Sequence, residues 1–261
     1  MSDIQIDITV PLHGKVALVT GASRGIGRAT ALRLASMGAV VGVHYNSAAE
    51  LAGEVVDEIA ASGGDAFAIQ ANLSRNNGPA TLLNGLDAAL QDRYSNTAMD
   101  ILVNNAGTSG RAAIEDVTEE AFDEIIQVDL KAPFFITKLA LARMRDGGRI
   151  INISSMSTRA AYPVLPAYAS AKAGLEALTR SLAAHLGPRN ITVNAVLPGA
   201  TATDMNPGAQ DPEIAKKTIE SIALGRIGQP QDIADVIAFL ATDQARWITG
   251  QCIDASGGQR I

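Results

Sequence analysis

Short, unbroken apolar runs alternate with longer amphipathic stretches along almost the whole of this 261-residue chain. The first run, Val16-Ala17-Leu18-Val19, has no polar position, which is typical of a strand that is covered on both faces. Regular alternation of such strands with helices favours a parallel sheet with right-handed crossovers. The sequence therefore predicts an α/β fold, a doubly wound parallel sheet of about seven strands with helices on both faces.

The same patterns give approximate boundaries for the elements and for the domain. The predicted strands cover residues 16–20, 40–45, 66–70, 101–104, 149–154, 191–197 and 251–254, and the predicted helices lie near 25–37, 48–62, 79–94, 118–144, 168–186 and 231–241. No linker, repeat or low-complexity tract interrupts the chain, so residues 1–261 are expected to form a single domain. The least regular stretch, 201–228, is predicted to be a substrate lid, because long irregular segments in compact domains are usually lids or binding loops.

Charge and composition exclude several classes of protein. A net charge of −6 argues against nucleic acid or an anionic membrane surface as the main partner. No apolar run approaches the ~20 residues that a membrane span requires, and the first residues lack the pattern of a signal peptide. A single cysteine, Cys252, excludes an intrachain disulfide and fits a reducing compartment, so we expect a cytoplasmic protein. The three histidines lack metal-ligand spacing, so no metal site is expected and each is interpreted as structural.

A glycine-rich segment joins the first predicted strand to the first predicted helix, with the spacing Gly-x-x-x-Gly-x-Gly in residues 20–27. Glycines let the backbone turn sharply and approach a pyrophosphate, and the following helix N-terminus supplies free N–H groups and the positive end of a dipole. Such a segment is often only a turn, but the strand–turn–helix context favours a dinucleotide site. The expected cofactor contacts here are Gly21, Ser23, Arg24, Gly25, Ile26 and Gly27.

Tyr168 and Lys172 lie four residues apart on a predicted helix and therefore share one face. A nearby ammonium favours a phenolate, so Lys172 is expected to lower the pKa of the Tyr168 phenol from its ordinary value near ~10. Ser155 stands upstream, just after the predicted strand 149–154. A tyrosine–lysine pair at this spacing is most often surface decoration, but the serine and the glycine turn together favour a redox enzyme. The rival Tyr162 has no lysine four residues on and is interpreted as a pocket wall.

These motifs together resemble the short-chain dehydrogenase/reductase family, over nearly the whole chain from residue 15 to residue 258. Residues 20–27 match the family's cofactor turn, residues 104–107 (Asn-Asn-Ala-Gly) match the motif after the fourth strand, and Pro198-Gly199 followed by Thr203 matches the segment that holds the nicotinamide end. Within the family the chain is most similar to bacterial 3-oxoacyl-(acyl carrier protein) reductases and related ketone reductases. The resemblance implies a single-domain Rossmann-type fold.

The resemblance also implies a mechanism and a set of contacts. Hydride passes from the reduced nicotinamide to a ketone carbon while Tyr168 protonates the developing alkoxide, Ser155 hydrogen-bonds the same oxygen, and Lys172 also holds the nicotinamide ribose. The further cofactor residues that it implies are Asn105, Ala106, Gly107, Pro198, Gly199, Thr201 and Thr203, together with Tyr168 and Lys172. The apolar helices 118–144 and 168–186 resemble those of the family's four-helix interfaces, which implies a homotetramer.

The second predicted strand indicates which nicotinamide cofactor is bound. An NAD site places an acidic residue about 20 residues beyond the glycines, to bond the ribose 2′-hydroxyl, but no Asp or Glu occurs between residues 38 and 49. Asn46, Ser47 and Arg24 offer donors and a positive charge for a 2′-phosphate, so NADP(H) is predicted. The plainer alternative is that Arg24 is solvated and Asn46 only caps a helix. Contacts are expected from Tyr45, Asn46 and Ser47 and, beside the adenine, from Asn72 and Leu73.

One position departs from the family pattern. Most members carry asparagine as a fourth catalytic residue, which helps to seat a water linking the lysine to solvent, whereas this chain has Asp129. Pro133 has no N–H and cannot bond the carbonyl four residues back, that of Asp129. We therefore expect a helix distorted near 129–133, in which the Asp129 carbonyl holds the water and the carboxylate is tolerated. The alternative is an impaired or specialised proton relay.

Three further residues are weaker candidates. Arg111 and Arg159 follow the fourth and fifth predicted strands and either bind an acidic or carrier-linked substrate or are solvated loop residues. Trp247 lines either a pocket or a subunit interface. The predicted function is NADPH-dependent reduction of a ketone, either a 3-oxoacyl thioester or a small or xenobiotic ketone, to a secondary alcohol. The alternative is a nucleotide-binding sensor or scaffold of the same fold with impaired catalysis.

Overall fold

Seven parallel strands form one sheet in the computed structural model, which describes residues 10–209 and 211–261. The strands are β1 (Val16–Val19), β2 (Val40–Tyr45), β3 (Asp65–Gln70), β4 (Met99–Asn104), β5 (Met144–Ile153), β6 (Thr192–Pro198) and β7 (Cys252–Ala255). Their spatial order is β3-β2-β1-β4-β5-β6-β7. The order reverses between β1 and β4, and ligands of such sheets bind in the crevice at the carboxyl ends of the strands beside that point.

Helices cover both faces of the sheet. They are α1 (Gly25–Ser36), α2 (Ala49–Ala61), α3 (Gly78–Tyr94), α4 (Glu119–Ile126), α5 (Ala132–Ala140), α6 (Pro166–Leu186), α7 (Pro212–Ile219) and α8 (Pro230–Ala241). One apolar cluster lies under α1, α2 and α8 and includes Leu34 and Ile237, while a second lies under α3, α5 and α6 and includes Leu86 and Ile136. Burial on both sides explains the continuous apolar strands, and the predicted fold class is confirmed.

The helix predicted over 118–144 is wrong in its extent. The segment breaks into α4, a π-helical turn at Gln127–Lys131 and α5, which ends at Ala140. Within the turn the Ala132 N–H donates to the carbonyl of Gln127, five residues back. Pro133 supplies no N–H at the next position, so a regular helix cannot continue through it. The predicted distortion near 129–133 is therefore present, slightly earlier in the chain.

Strand β5 also begins earlier than the predicted 149–154. Met144 pairs with Met99, and the register then shifts so that Arg149 pairs with Ile101. The intervening residues include Gly147, whose φ of +78° suits a glycine. Apolar patterning misses this start because charged and glycine residues occupy it.

The segment 201–228 follows β6, and its two ends are hydrogen-bonded to each other. Thr201 and Gly228 form a parallel bridge, and the Ala202 N–H donates to the Gly228 carbonyl at 2.8 Å. Within the segment, the Asp211 carboxylate accepts the N–H groups at the start of α7. No helix in the part of the chain that the structure describes is long and apolar enough to cross a membrane.

Candidate active site

The glycine turn between β1 and α1 has the geometry that a phosphate requires. Gly21 and Gly25 have φ values of +65° and +57°, which glycine adopts without strain. A Cβ atom on Gly27 would lie 2.2 Å from the Gly21 carbonyl oxygen, so no other residue fits there. Helix α1 begins without a capping side chain or an acidic residue in its first turn. Its first N–H groups are therefore available to an anion.

Two side chains from neighbouring elements hold this turn in place. The Asn105 amide donates to the carbonyls of Thr20 and Gly21, at 2.9 and 3.1 Å. The Thr20 hydroxyl accepts the N–H groups of Asn105 and Ala106, both at 2.9 Å. The sequence predicts a cofactor contact for Asn105, but in the structure its side chain hydrogen-bonds the glycine turn that would bind the cofactor. Thr20, immediately before the first glycine, was not among the predicted site residues.

His44 is a third brace, and its hydrogen bonds fix its protonation state. Its Nδ1 lies 2.9 Å from the Gly21 N–H, and its Nε2 lies 3.0 Å from the Ala71 carbonyl. Because Gly21 donates, Nδ1 accepts, and the ring is neutral with its proton on Nε2. Burial lowers the pKa of His44 to about 4. A polar residue inside the otherwise apolar β2 was the sequence signal for this contact.

The end of β2 carries the residues expected at a 2′-phosphate. Asn46 and Ser47 are exposed and Tyr45 is half-buried. The Arg24 guanidinium lies 3.3 Å from the Asp204 carboxylate of the 201–228 segment, and both side chains are largely exposed. Arg24, the basic residue expected near the 2′-phosphate, therefore lies at the glycine turn and forms an ion pair with the 201–228 segment.

Asn72 and Leu73, expected beside the adenine, follow β3. The Asn72 side-chain oxygen accepts bonds from the Ser74 N–H and hydroxyl, at 2.9 and 2.6 Å. Leu73 is buried, and its carbonyl accepts the Gln127 amide at 3.3 Å. The side-chain oxygen of Asn72 is thus used locally, which leaves its amide group for a base.

Ser155, Tyr168 and Lys172 meet at the carboxyl end of β5. Helix α6 carries the tyrosine and the lysine on one face, and the Lys172 ammonium lies 5.5 Å from the centre of the Tyr168 ring. Lys172 is buried and donates to the Ile153 carbonyl at 2.9 Å. The Ser155 hydroxyl lowers the pKa of the phenol and accepts the Ser157 N–H at 3.1 Å. The spacing therefore brings together the three residues that it predicts.

Asp129 joins this group through its side chain. One carboxylate oxygen lies 2.8 Å from the Lys172 ammonium, and the other accepts the Thr108 N–H at 3.0 Å. Gly107 makes the approach feasible, because a Cβ there would lie 2.7 Å from the carboxylate. The sequence predicts that the carbonyl of Asp129 holds the relay water and that the carboxylate is tolerated. The structure adds a direct contact between the carboxylate and the ammonium.

The protonation equilibria of this group differ from the expectation for Tyr168. Burial raises the pKa of the phenol; Lys172 and the Ser155 hydroxyl lower it, while Asp129 raises it again, and the net shift is upward. Burial lowers the pKa of Lys172, but Asp129 and Tyr168 raise it above its ordinary value. Burial also raises the pKa of Asp129, against the opposing effect of Lys172. The expected lowering of the tyrosine pKa is therefore wrong for the free protein, because burial and a second charge outweigh the lysine.

The segment after β6 lies against the glycine turn. Pro198 ends β6, and the Thr201 hydroxyl donates to the Gly199 carbonyl at 3.0 Å. The Thr203 methyl group is the nearest atom, at 3.3 Å, to a Cβ built on Gly25. Thr203 thus lies beside the glycine turn, and its expected contact with the nicotinamide end of the cofactor stays a prediction.

The weaker candidates from the sequence, which are Tyr162, two arginines and Trp247, are not grouped at one site. Arg260 stacks over the Tyr162 ring at 4.4 Å, and Arg111 and Arg260 both lower the pKa of that phenol against the larger effect of burial. Arg159 donates to the carbonyl of Cys252, at the start of β7. Trp247 is 96% exposed. Sequence reasoning missed Arg260, which no local motif marks.

Comparisons with known proteins identify the family. A family model described as enoyl-(acyl carrier protein) reductase matches residues 21–260. The short-chain dehydrogenase/reductase FrzI of a Cladobotryum species is 41% identical over 254 residues, covering 95% of this chain and 96% of FrzI.

Two solved structures are similar over almost their full length. The angucycline C-6 ketoreductase LanV, crystallised with bound NADP, has a TM-score of 0.93 at 48% identity, covering 96% of this chain and 97% of LanV. LugOII, a promiscuous reductase that catalyses keto-reduction at C1 during lugdunomycin biosynthesis, has a TM-score of 0.93 at 49% identity, covering 96% of this chain and 100% of LugOII. The chain therefore belongs to the short-chain dehydrogenase/reductase family, as its motifs predict, and it is an oxidoreductase.

Proposed function

We propose that this protein is an NADP(H)-dependent ketoreductase, which reduces a ketone to a secondary alcohol with Tyr168 as the general acid. The observation that carries the proposal is the meeting of Ser155, Tyr168 and Lys172 beside the glycine turn. Gly107 connects the two parts, because its Cβ position lies 3.5 Å from the Lys172 ammonium and its neighbour Ala106 lies against Gly21. The similar ketoreductases LanV and LugOII support the same reaction class.

The residues of the chain fit the cofactor. The turn at 21–27 and the N-terminus of α1 would hold the pyrophosphate, and Arg24 with Asn46 and Ser47 would hold the 2′-phosphate. Bound NADPH would supply the hydride. The absence of an acid between residues 38 and 49, and the NADP found in LanV, both favour NADP(H) over NAD(H).

The chemistry of the site follows from the protonation states of its residues. The Tyr168 phenol retains its proton at neutral pH, so it is able to donate that proton to the developing alkoxide. Ser155 would hydrogen-bond the same oxygen and fix its position. Lys172 remains charged and would stabilise the phenolate that forms after the proton has left.

The substrate is proposed to be a ring ketone of the kind reduced by the similar ketoreductases, with 201–228 as its lid. Tyr162 and the exposed Val164 and Met205 offer apolar and aromatic surface in the loop after β5 and in the lid. A 3-oxoacyl thioester is the second candidate. The matching family model, described as enoyl-(acyl carrier protein) reductase, supports only the carrier-linked acyl group of that candidate and not its ketone.

Purified protein assayed with NADPH and with NADH against both substrate classes tests these proposals. Bicyclic ketones such as tetralones and decalones represent the first class, and acetoacetyl thioesters represent the second. We expect NADPH consumption with the bicyclic ketones and formation of the secondary alcohol. Tight NADPH binding without turnover of any ketone would instead favour a nucleotide-binding sensor or scaffold.

We also propose that the protein assembles as a homotetramer. Phe122, Phe134 and Phe135 on α4 and α5 are 38–47% exposed, and an exposed cluster of large apolar side chains is typical of an interface. Light scattering after gel filtration should give four times the 27.1 kDa mass of the chain. A monomer at micromolar concentration would refute the proposal.

A further inference from the structure

A buried ion pair lies directly beside the tyrosine of the candidate active site. Asp129 is 0% exposed and Lys172 is 3% exposed, and the carboxylate lies 2.8 Å from the ammonium. The second carboxylate oxygen is held by the Thr108 N–H at 3.0 Å. A carboxylate this far from water persists only where a positive charge compensates it, and Lys172 supplies that charge.

We propose that Asp129 is a positioning residue that acts on Tyr168 through Lys172. Its carboxylate fixes the ammonium by a direct ion pair and offsets the positive charge that the ammonium presents to the phenol. The phenol therefore keeps its proton until the reduced ketone takes it. This inference rests on the proposed function, because it concerns the same tyrosine. A neutral amide at this position would leave the charge of the ammonium uncompensated.

The charged groups around Tyr168 come from two elements. Lys172 approaches from its own helix, α6, and Asp129 approaches from the π-helical turn; the uncharged Ser155 hydroxyl also lowers the pKa of the phenol. Glu176, one turn beyond Lys172, is bonded by two hydroxyl groups of the loop before α6, at 2.7 and 2.6 Å. The ion pair is thus the main source of charge at the phenol.

Two arginines lie near the other tyrosine of the crevice. Arg111 and Arg260 lower the pKa of Tyr162, whereas the charges that shift the pKa of Tyr168 are those of Lys172 and Asp129. Replacing Asp129 should therefore change the pKa of the Tyr168 phenol, because no arginine beside Tyr168 compensates for the lost negative charge.

The consequence differs between the two directions of the reaction. In reduction, hydride reaches the ketone carbon while the Tyr168 O–H bond breaks and its proton passes to the alkoxide oxygen. In the reverse direction, the alcohol loses its O–H proton to the Tyr168 phenolate while hydride leaves its carbon for NADP⁺. Only the reverse direction requires an ionised phenol at the start. Asp129 thus favours reduction near neutrality and moves alcohol oxidation to higher pH.

Ultraviolet titration of the cofactor-free protein tests the inference without reference to any substrate. Phenolate absorbance is followed against pH, and the titration of the same protein with Tyr168→Phe is subtracted to isolate one of the four tyrosines. Asp129→Asn keeps the shape of the side chain and an acceptor for the Thr108 N–H. Asp129→Ser is a smaller second variant in case the amide disturbs folding. Asp123→Asn removes the same charge from the exposed face of α4 and serves as the control.

Both variants at position 129 should ionise Tyr168 about one pH unit or more below the wild type, and the control should not change. The pH midpoint of alcohol oxidation should shift by a similar amount. A purely structural role would lower turnover at every pH and leave both midpoints in place, which would overturn the inference. Failure of the proposed function has a different signature: the phenol titration shifts as described, yet no ketone is reduced at any pH.

Discussion

Acidification should destabilise the protein through His44, which braces the glycine turn in its neutral form. Its Nδ1 accepts the Gly21 N–H at 2.9 Å and would lose that role on protonation. Its pKa is lowered from 6.5 to about 4 in the folded state. Between these pH values His44 is protonated in the unfolded chain and neutral in the folded chain. The contribution of neutral His44 to stability is therefore fully present above pH ~6.5 and is lost as the pH falls towards ~4.

The size of the effect follows from the two pKa values. A difference of about 2.5 pH units corresponds to about 3 kcal/mol of folding free energy, fully lost below pH ~4. About 2 kcal/mol of this should already be lost at pH ~5. Such a loss is a large fraction of the ~5–15 kcal/mol that stabilises a typical domain.

Urea unfolding of the wild type and of His44→Asn, measured at neutral pH and at pH ~5, isolates this contribution. Asparagine offers the Gly21 N–H an acceptor that does not titrate in this range. The carboxylates titrate alike in both proteins, so the stability advantage of the wild type over the variant should shrink by about 2 kcal/mol on acidification. An advantage that is unchanged between the two pH values would refute the assignment. So would a His44 ring resonance that titrates near pH ~6.5 in the wild type.

Two further predictions concern the cofactor site. Gly27→Ala should abolish NADPH binding, measured by calorimetry, because its Cβ would lie 2.2 Å from the Gly21 carbonyl oxygen. Gly53→Ala on α2, whose Cβ would meet no atom within 4 Å beyond its chain neighbours and its own helix backbone, should bind normally and be slightly more stable, by about 0.5–1 kcal/mol. Asn46→Asp should lower the affinity for NADPH relative to NADH by about tenfold or more through charge repulsion with the 2′-phosphate. An unchanged ratio of the two dissociation constants would mean that position 46 does not contact that phosphate.

Much of the fold could be predicted because its signals are local. The bounds of β2 and most helix ends were predicted within two residues, since apolar runs and helix-breaking residues mark them directly. The segment 118–144 failed for a physical reason: its apolar pattern continues through Pro133, but the backbone hydrogen bonds do not. The start of β5 failed because glycine and charged residues join the sheet there through pairing with β4.

The sequence predicts only those parts of the candidate site that residue spacing and motif order determine. Ser155, Tyr168 and Lys172 were found because helix geometry and motif order place them together. The ion pair of Lys172 with Asp129 and the bond of His44 to Gly21 join elements far apart in the chain. The upward shift of the Tyr168 pKa likewise depends on tertiary packing around the phenol and on Asp129, which no local pattern supplies.

The most direct test of the central claim is the rate of NADPH-dependent ketone reduction by Tyr168→Phe. General acid catalysis contributes ~10²–10⁴-fold, so the variant should reduce the best ketone of the panel slower by about that factor while still binding NADPH. Tyr94→Phe removes a hydroxyl from α3, away from the site, and should retain nearly full activity. Turnover by Tyr168→Phe within a few-fold of the wild type would contradict the account.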